Sequence, residues 1–420
     1  MVLRAGLHSD TLSLMLRLLL IAPCDGEDVG EAWVAFQWVR RLAARHNVTL
    51  LTYYKRGHTP ASCQLPGVRV VEWAEPPIVG RAERLNSMLK PGYLPFYVRA
   101  RRWIRRRLAE GEKFDLSYQP VPVAMRYPSP VAGLGIPFII GPVGGSLPSP
   151  PGFGADADSA PGYVGLRRLD RLRMRRDPLL RRTYEQASCV IGIAPYVREF
   201  LAGTALQRFE IMSETGLVRL PKPVDRTDRQ GDVRLLFVGR LVRTKGVRDA
   251  IRALGIAREL PVIFDVVGDG FDRAACESLT TKLGLTGRVR FHGWLNRDQV
   301  DDFYRAADIF VFPSYREPGG NAVFEAMGYG LPMIVSNTGG PAEAVDNTSG
   351  IRLNPESPDQ YAAEIAAALT SLVNDPAQRV ALGAGARRRV AEIALWDDKV
   401  TKLEAICTQV LADSSLYFGR

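Results

Sequence analysis

Short apolar runs alternate with longer stretches whose apolar residues recur at helical spacing along most of this chain. "RLLLIAP" (17–23) is followed by "GEAWVAFQWVRRLAARH" (30–46), which places its apolar positions on one helical face. The β-rich run "VTLLTYY" (48–54) comes next, and "FDLSYQP", "PFIIGPVGG" and "CVIGIAP" repeat the scheme. A polar, proline-bearing segment, "LPKPVDRTDRQGD" (220–232), then interrupts the pattern. After it the alternation restarts with "VRLLFVGR", "VIFDVVGDG", "RVRFHGW", "DIFVFPS" and "PMIVSN", each followed by a helical stretch. The pattern predicts an α/β protein of two domains with mostly parallel sheets, spanning 1–220 and 221–395. The last segment, 396–420, reads as one amphipathic helix, "WDDKVTKLEAICTQVLADSS", packing back on the first domain. Two such domains create a cleft, and ligands lie outside the carboxyl ends of the strands.

Length agrees with this division, because 420 residues are too many for one ordinary core. The apolar run "LSLMLRLLLIAP" is interrupted by Arg17 and falls short of the roughly 20 apolar residues that span a bilayer. A signal peptide would need a small-residue cleavage site, and none follows, so the run reads as a buried first strand with 1–11 as a loose extension. Cys24, Cys63, Cys189, Cys276 and Cys407 form no C-x-x-C pair, which reads as a reduced, cytoplasmic protein. None of the four histidines stands at metal-ligand spacing, so no metal site is expected.

Net charge is +10, and much of it is concentrated in "RARRWIRRRL" (99–108) and "LRRLDRLRMRRDPLLRR" (166–182). Such segments attract phosphates, nucleic acid or an anionic membrane surface. The alternative is a solvated helix held by i,i+4 ion pairs, for which few acids stand nearby. No aromatic stacking platform accompanies the charge, which disfavours nucleic acid. Trp103, Ile104, Leu166, Leu169 and Leu172 lie among these arginines and complete a candidate surface for lipid headgroups.

Three motifs carry candidate chemistry. In "LLFVGRLVRTKGV", a strand ends at Gly239, and Arg240 and Lys245 follow in a turn suited to a diphosphate. In "VVGDGFDRAA", Gly268 and Gly270 lack the third glycine of a dinucleotide fingerprint, so a tight turn near a ligand is the better reading. In "REPGGNAVFEAMGYGLP", proline and glycines hold Glu317 in a loop, with Asn321 as the candidate cap of a helix containing Glu325. The amides of Gly320, Asn321 and Ala322 would then face an anion. Taken alone, the pair is read equally well as a helix-dipole glutamate and a loop glutamate.

Together "VGRLVRTKG", "VVGDG", "VRFHGWL" and "EPGGNAVFEAMGYGLPMIVSNTGGPAEAV" resemble the retaining glycosyltransferases of family 4, in the family's order and spacing. The likeness is strongest over about 232–348, and "CDGEDVGEAW" and "PFIIGPVGGSLP" extend it into the first domain. The resemblance implies a GT-B fold of two Rossmann-like domains and a UDP- or GDP-sugar donor held by the second domain. It assigns Arg240 and Lys245 to the diphosphate, Glu317 to the donor sugar, and Gly320, Asn321 and Ala322 to sugar and phosphate. Glu325 would take the ribose hydroxyls, Trp294 the base and Gly30 the diphosphate from the first domain, with Gly268 in the turn beside it. The implied reaction is sugar transfer with retention, needing no metal or further cofactor. The acceptor would be a lipid-linked glycan in bacterial polysaccharide or glycolipid assembly, the enzyme being cytoplasmic or peripheral on the membrane. A soluble acceptor, an epimerase of the same fold and an inactive sugar- or membrane-binding scaffold are the rival readings. Where many family members carry a histidine, this chain has Val143 and Gly144.

Overall fold

A computed structural model of the chain describes residues 15–28, 30–54, 57–75, 90, 92–154, 168–227 and 229–418, without the side chains of 168, 169 and 415–418. The expected extension over 1–11 therefore lies outside the described residues.

Seven strands form the first sheet: β1 Arg17–Ile21, β2 Asn47–Tyr54, β3 Arg69–Ala74, β4 Leu116–Gln119, β5 Phe138–Val143, β6 Cys189–Gly192 and β7 Phe209–Ile211. Their order is β3-β2-β1-β4-β5-β6-β7, with every pairing parallel. Six form the second: β8 Val233–Val238, β9 Val262–Val267, β10 Val289–Gly293, β11 Ile309–Phe312, β12 Met333–Ser336 and β13 Gly350–Leu353. Their order is β10-β9-β8-β11-β12-β13, again parallel. Parallel strands are covered by helices on both faces, which explains the near-continuous apolar runs of β1, β5, β11 and β12. The edge strands β3, β7 and β13 had no such run to announce them.

Among the described residues, the helices of eight residues or more are α1 Glu31–Ala43, α2 Tyr93–Ala109, α3 Arg168–Arg176, α4 Pro178–Gln186, α5 Val247–Ile256, α6 Arg273–Lys282, α7 Arg297–Ala306, α8 Asn321–Gly328, α9 Pro358–Asn374, α10 Pro376–Ala394 and α11 Trp396–Phe418. Helix α11 packs on the core of the first domain. Trp396 is fully buried there, edge-on to Trp38 of α1 at 5.2 Å and to Trp33 at 6.1 Å. Val400, Leu403, Ile406 and Val410 bury in the same core at the 3–4 residue spacing of one helical face.

One short segment crosses between the cores in the opposite sense. After β5 the chain runs through "GGSLPSPPGF" to Phe153, which is 1% exposed and belongs to the core of the second domain. Its ring lies 4.2 Å from that of Tyr315, and the Arg243 guanidinium sits over both rings. Gly152 is required beside it, because a Cβ would stand 2.0 Å from the carbonyl oxygen of Glu356.

Candidate active site

In each sheet the order reverses beside its first strand, between β1 and β4 and between β8 and β11. Loops leaving neighbouring strands diverge at such a point and open a crevice. In the second domain, β8 and β11 are paired directly, Leu235 opposite Ile309 and Leu236 opposite Phe310. The Arg240–Lys245 loop and the Glu317 loop therefore leave adjacent strand ends, although 72 residues separate Lys245 from Glu317 in sequence.

The ends of β8, β9 and β10 are locked together by backbone. Gly239 N donates to Val267 O at 3.0 Å and Gly268 N to Gly293 O at 2.8 Å. Gly268 has φ 130°, and a Cβ there would meet Gly239 O at 2.0 Å, so the tight turn read from the sequence is real. Within "RTK", Arg243 is buried and paired with Asp249 at 2.5 Å, holding the loop to α5. Arg240 is exposed, with no carboxylate partner among the described residues. Lys245 is largely buried and its ammonium forms an ion pair with Glu317. It also lies 5.0 Å from the centre of the Phe312 ring. Burial pulls Lys245 down to about 7, Arg240 adding to the shift and Glu214 opposing it. The Glu317 contact works with Glu214, since a neighbouring anion favours the ammonium.

The loop from Glu317 to Gly320 is pressed against a second glycine turn. Gly340 N donates to Glu317 O at 3.1 Å, and a Cβ on Gly340 would stand 1.8 Å from Gly319 O. Helix α8 begins differently from the sequence expectation. Gly320 is the cap, with φ 114°, and no side chain caps the helix; Asn321 is instead its exposed first residue. Asparagine is displaced from the cap because that position needs a left-handed backbone, which glycine adopts at least cost. The amides of Gly320, Asn321 and Ala322 find no acceptor among the described residues, so the helix presents open donors.

Glu325 lies one turn into α8, partly buried, and accepts a hydrogen bond from the Tyr304 hydroxyl at 3.0 Å. Burial raises its pKa; the Tyr304 hydrogen bond and Arg297 oppose the shift, while Asp301 adds to it. Trp294 follows β10 and is 77% exposed. The neighbouring His292 is held by Asp265 at 2.7 Å. Across the cleft, Gly30 caps α1 with φ 73°. Glu31 beside it pairs with Lys90 and accepts Val123 N at 3.3 Å.

The structure adds groups that the sequence did not single out. In the first domain, Asp25 is held by His58 at 3.0 Å and by Gln64 at 3.0 Å. Between the domains, Lys399 of α11 is buried and donates to Ser213 O at 2.5 Å and Thr215 O at 2.6 Å. Glu214 stands between those two residues, with its Oε1 2.2 Å from where a Cβ on Gly319 would lie. Nothing periodic marks these positions in sequence. Only the rarity of an acid in "IMSETGL" hints at Glu214.

The expected lipid-facing residues need correction. Ile104 is fully buried in the first core, and Trp103 is partly buried under the Arg69 and Arg107 guanidiniums. Leu166 and the Leu169 side chain lie outside the described residues, while Leu172 is exposed. Residues 97, 100 and 104 fall on one face of α2, and that face is turned inward against the sheet. The exposed apolar residues of this region are instead Leu94, Val98, Leu172 and Leu179.

Residues 223–389 match the family model of glycosyl transferases group 1. The match covers most of the second domain. The chain is 36% identical over 195 residues to the lipopolysaccharide core biosynthesis glycosyltransferase LpsD of Rhizobium meliloti, covering 45% of this chain and 55% of that one. It spans about half the length of the curated relatives it matches. Among solved structures, sucrose-phosphate synthase from Thermosynechococcus elongatus superposes with TM-score 0.65 at 21% identity, covering 94% of this chain and 99% of the other. HepE of Anabaena, in complex with UDP, superposes with TM-score 0.64 at 16% identity over 95% and 100% of the two chains. The fold is GT-B, as the motifs implied, and the four motifs lie on or after β8, β9, β10 and β11.

Proposed function

We propose that this protein is a retaining glycosyltransferase that moves a sugar from a UDP- or GDP-sugar to an acceptor hydroxyl. One observation carries the reading: Arg240, Lys245, Glu317, the open amides of Gly320–Ala322 and Glu325 leave two adjacent strand ends of the family-matched domain. In this reading Glu325, oriented by Tyr304, accepts the ribose hydroxyls. Trp294 borders the base, and Gly30 lets the first domain approach the diphosphate closely. Lys245, Arg240 and the helix-end amides stabilise the charge that develops on the departing diphosphate. Glu317 accepts hydroxyls of the donor sugar. Protein cations thereby take the role a metal would otherwise fill. The acceptor hydroxyl attacks from the face the diphosphate leaves, which retains the anomeric configuration, and its proton passes to the leaving phosphate.

The acceptor side is read as a lipid-linked glycan in polysaccharide or glycolipid assembly, presented at an anionic membrane. Its support is the exposed set Arg99, Arg102, Arg105, Arg171, Arg175 and Arg176, none with an ion pair among the described residues. The similarity to a lipopolysaccharide core glycosyltransferase points the same way. No described helix is long and apolar enough to cross a membrane, so the reading is of surface attachment.

The test is a donor screen scored by release of UDP or GDP, with thermal shift by each nucleotide alongside. Turnover of one nucleotide sugar that survives Glu317→Ala or Lys245→Ala at the wild-type rate contradicts the site. Absence of stabilisation by either nucleotide favours the scaffold reading.

A further inference from the structure

Glu214 is a carboxylate built into the junction of the two domains, without a hydrogen bond among the described residues. Its backbone is fixed on both sides. Lys399 clamps Ser213 and Thr215, the Ser213 hydroxyl donates to Thr215 O at 2.9 Å, and Gly216 is packed against Ala394 O. The segment is further zipped to the start of α11, Leu217 N donating to Ala394 O at 2.8 Å and Trp396 N to Leu217 O at 3.1 Å. The side chain then reaches the loop of the candidate site, its Oε1 resting on Gly319, midway between Glu317 and the open amides of α8.

Charged groups from both sides of the cleft act on this carboxyl: Glu31 and Lys90 from the first domain, Lys245 from the second and Lys399 from α11. Yet among the described residues none donates a hydrogen bond to it. Lys245 is engaged with Glu317, Lys90 with Glu31, and Lys399 with backbone carbonyls. A rigidly held, partly buried carboxyl with unmade hydrogen bonds is costly unless something supplies them. The residue is partly exposed, with its Oε1 beside Gly319.

We propose that Glu214 is a specificity-determining residue that hydrogen-bonds a hydroxyl of the transferred sugar. This rests on the glycosyltransferase reading above. Glu317 and the α8 amides address the sugar from the second domain, whereas Glu214 addresses it from the interdomain segment. A polar site of this kind rejects an epimer by leaving a buried group unpaired, which discriminates more strongly than shape alone.

The experiment is isothermal titration of the full chain, wild type, Glu214→Gln and Glu214→Ala, with UDP, GDP, UDP-glucose, UDP-galactose, UDP-N-acetylglucosamine and GDP-mannose. The expected result is that both variants bind the cognate nucleoside diphosphate within twofold of wild type. Glu214→Ala loses tenfold or more in affinity for the preferred nucleotide sugar, and its preference between epimers narrows. The isosteric Glu214→Gln loses less affinity and also narrows the preference, and its nucleotide binding shows that it is folded. An unchanged ratio of nucleotide-sugar to nucleotide affinity in both variants overturns the role of Glu214 while leaving the glycosyltransferase reading intact. A purely structural role moves both affinities together and overturns it equally. A wild type that binds neither nucleotide nor nucleotide sugar removes both.

Discussion

The ammonium of Lys245 rests on the carboxylate of Glu317, joining the loop after β8 to the loop after β11. Both side chains are largely buried, and Glu214 and Arg240 also act on the ammonium. In the proposed reaction Lys245 serves the diphosphate and Glu317 the sugar. On that reading, the free protein holds the phosphate-binding cation neutralised by the sugar-binding anion.

Removing the anion should free the cation. Glu317→Gln is expected to bind UDP or GDP roughly three- to tenfold more tightly, about 1 kcal/mol, while turnover falls by about 10²–10³. Lys245→Ala should weaken nucleotide binding and turnover together. Titration calorimetry beside a release assay checks both. Equal or weaker nucleotide binding by Glu317→Gln would mean that the ion pair does not compete with the diphosphate.

Glu325 should act on the ribose. Glu325→Ala is expected to weaken UDP or GDP binding by about 1.5–3 kcal/mol, the usual worth of hydrogen bonds to a charged group. Its affinities for the nucleotide and the 2′-deoxynucleotide should converge. Tyr304→Phe should cost about 1 kcal/mol by releasing the carboxylate it orients. A retained preference for the ribonucleotide in Glu325→Ala would place ribose recognition elsewhere.

The pH dependence of stability should report Glu214. Burial raises its pKa to about 7 from 4.5, Glu31 adding to the shift while Lys399, Lys90 and Lys245 oppose it. A folded value above the unfolded one gives stability that is present below pH 4.5 and lost as pH rises through about 7. Between pH 4.5 and 8 the wild type should lose about 1–3 kcal/mol relative to Glu214→Gln, discounted for the partly exposed side chain. Urea melts of the two proteins across that range measure the difference, and parallel curves would contradict it.

Surface attachment should depend on α3. Arg171→Glu, Arg175→Glu and Arg176→Glu together are expected to reduce binding to phosphatidylglycerol vesicles at low salt by tenfold or more, at about 1 kcal/mol per charge. Release of UDP or GDP from a soluble donor should be unaffected. Sedimentation with anionic and neutral vesicles checks this; equal binding of the wild type to both would remove the electrostatic basis.

Much of this was legible in the sequence, for reasons that particular residues make clear. The strands buried on both faces, such as "RLLLI" and "IFVF", announce themselves by continuous apolar character. The edge strands "FEI" and "GIRL" do not, because short, half-exposed strands carry neither a long run nor a clean alternation. The second-domain motifs could be assigned because each is local. The Lys245–Glu317 pair could not, since it depends on β8 and β11 becoming neighbours across a topological switch. Ile104 shows a different failure. Composition placed it among arginines on a surface, although its spacing from Tyr97 and Ala100 already marked the inward face of α2. Beyond being an acid in "IMSETGL", Glu214 carried no local signal, because its neighbours come from four separate parts of the chain.

Phe153 gives the domain boundary a meaning that no cut in the sequence can reproduce. Residues 221–395 expressed alone would contain the matched family segment yet lack the ring that packs against Tyr315 and sits under Arg243. Losing a buried phenylalanine costs about 3–5 kcal/mol, a large share of what holds an ordinary domain together. Tyr315 stands two residues before Glu317, so the gap would open directly beneath the candidate sugar-binding loop. The half that carries the candidate site is thus completed by a side chain lent from the other half, and an isolated second domain would be a poor guide to the site in the whole protein.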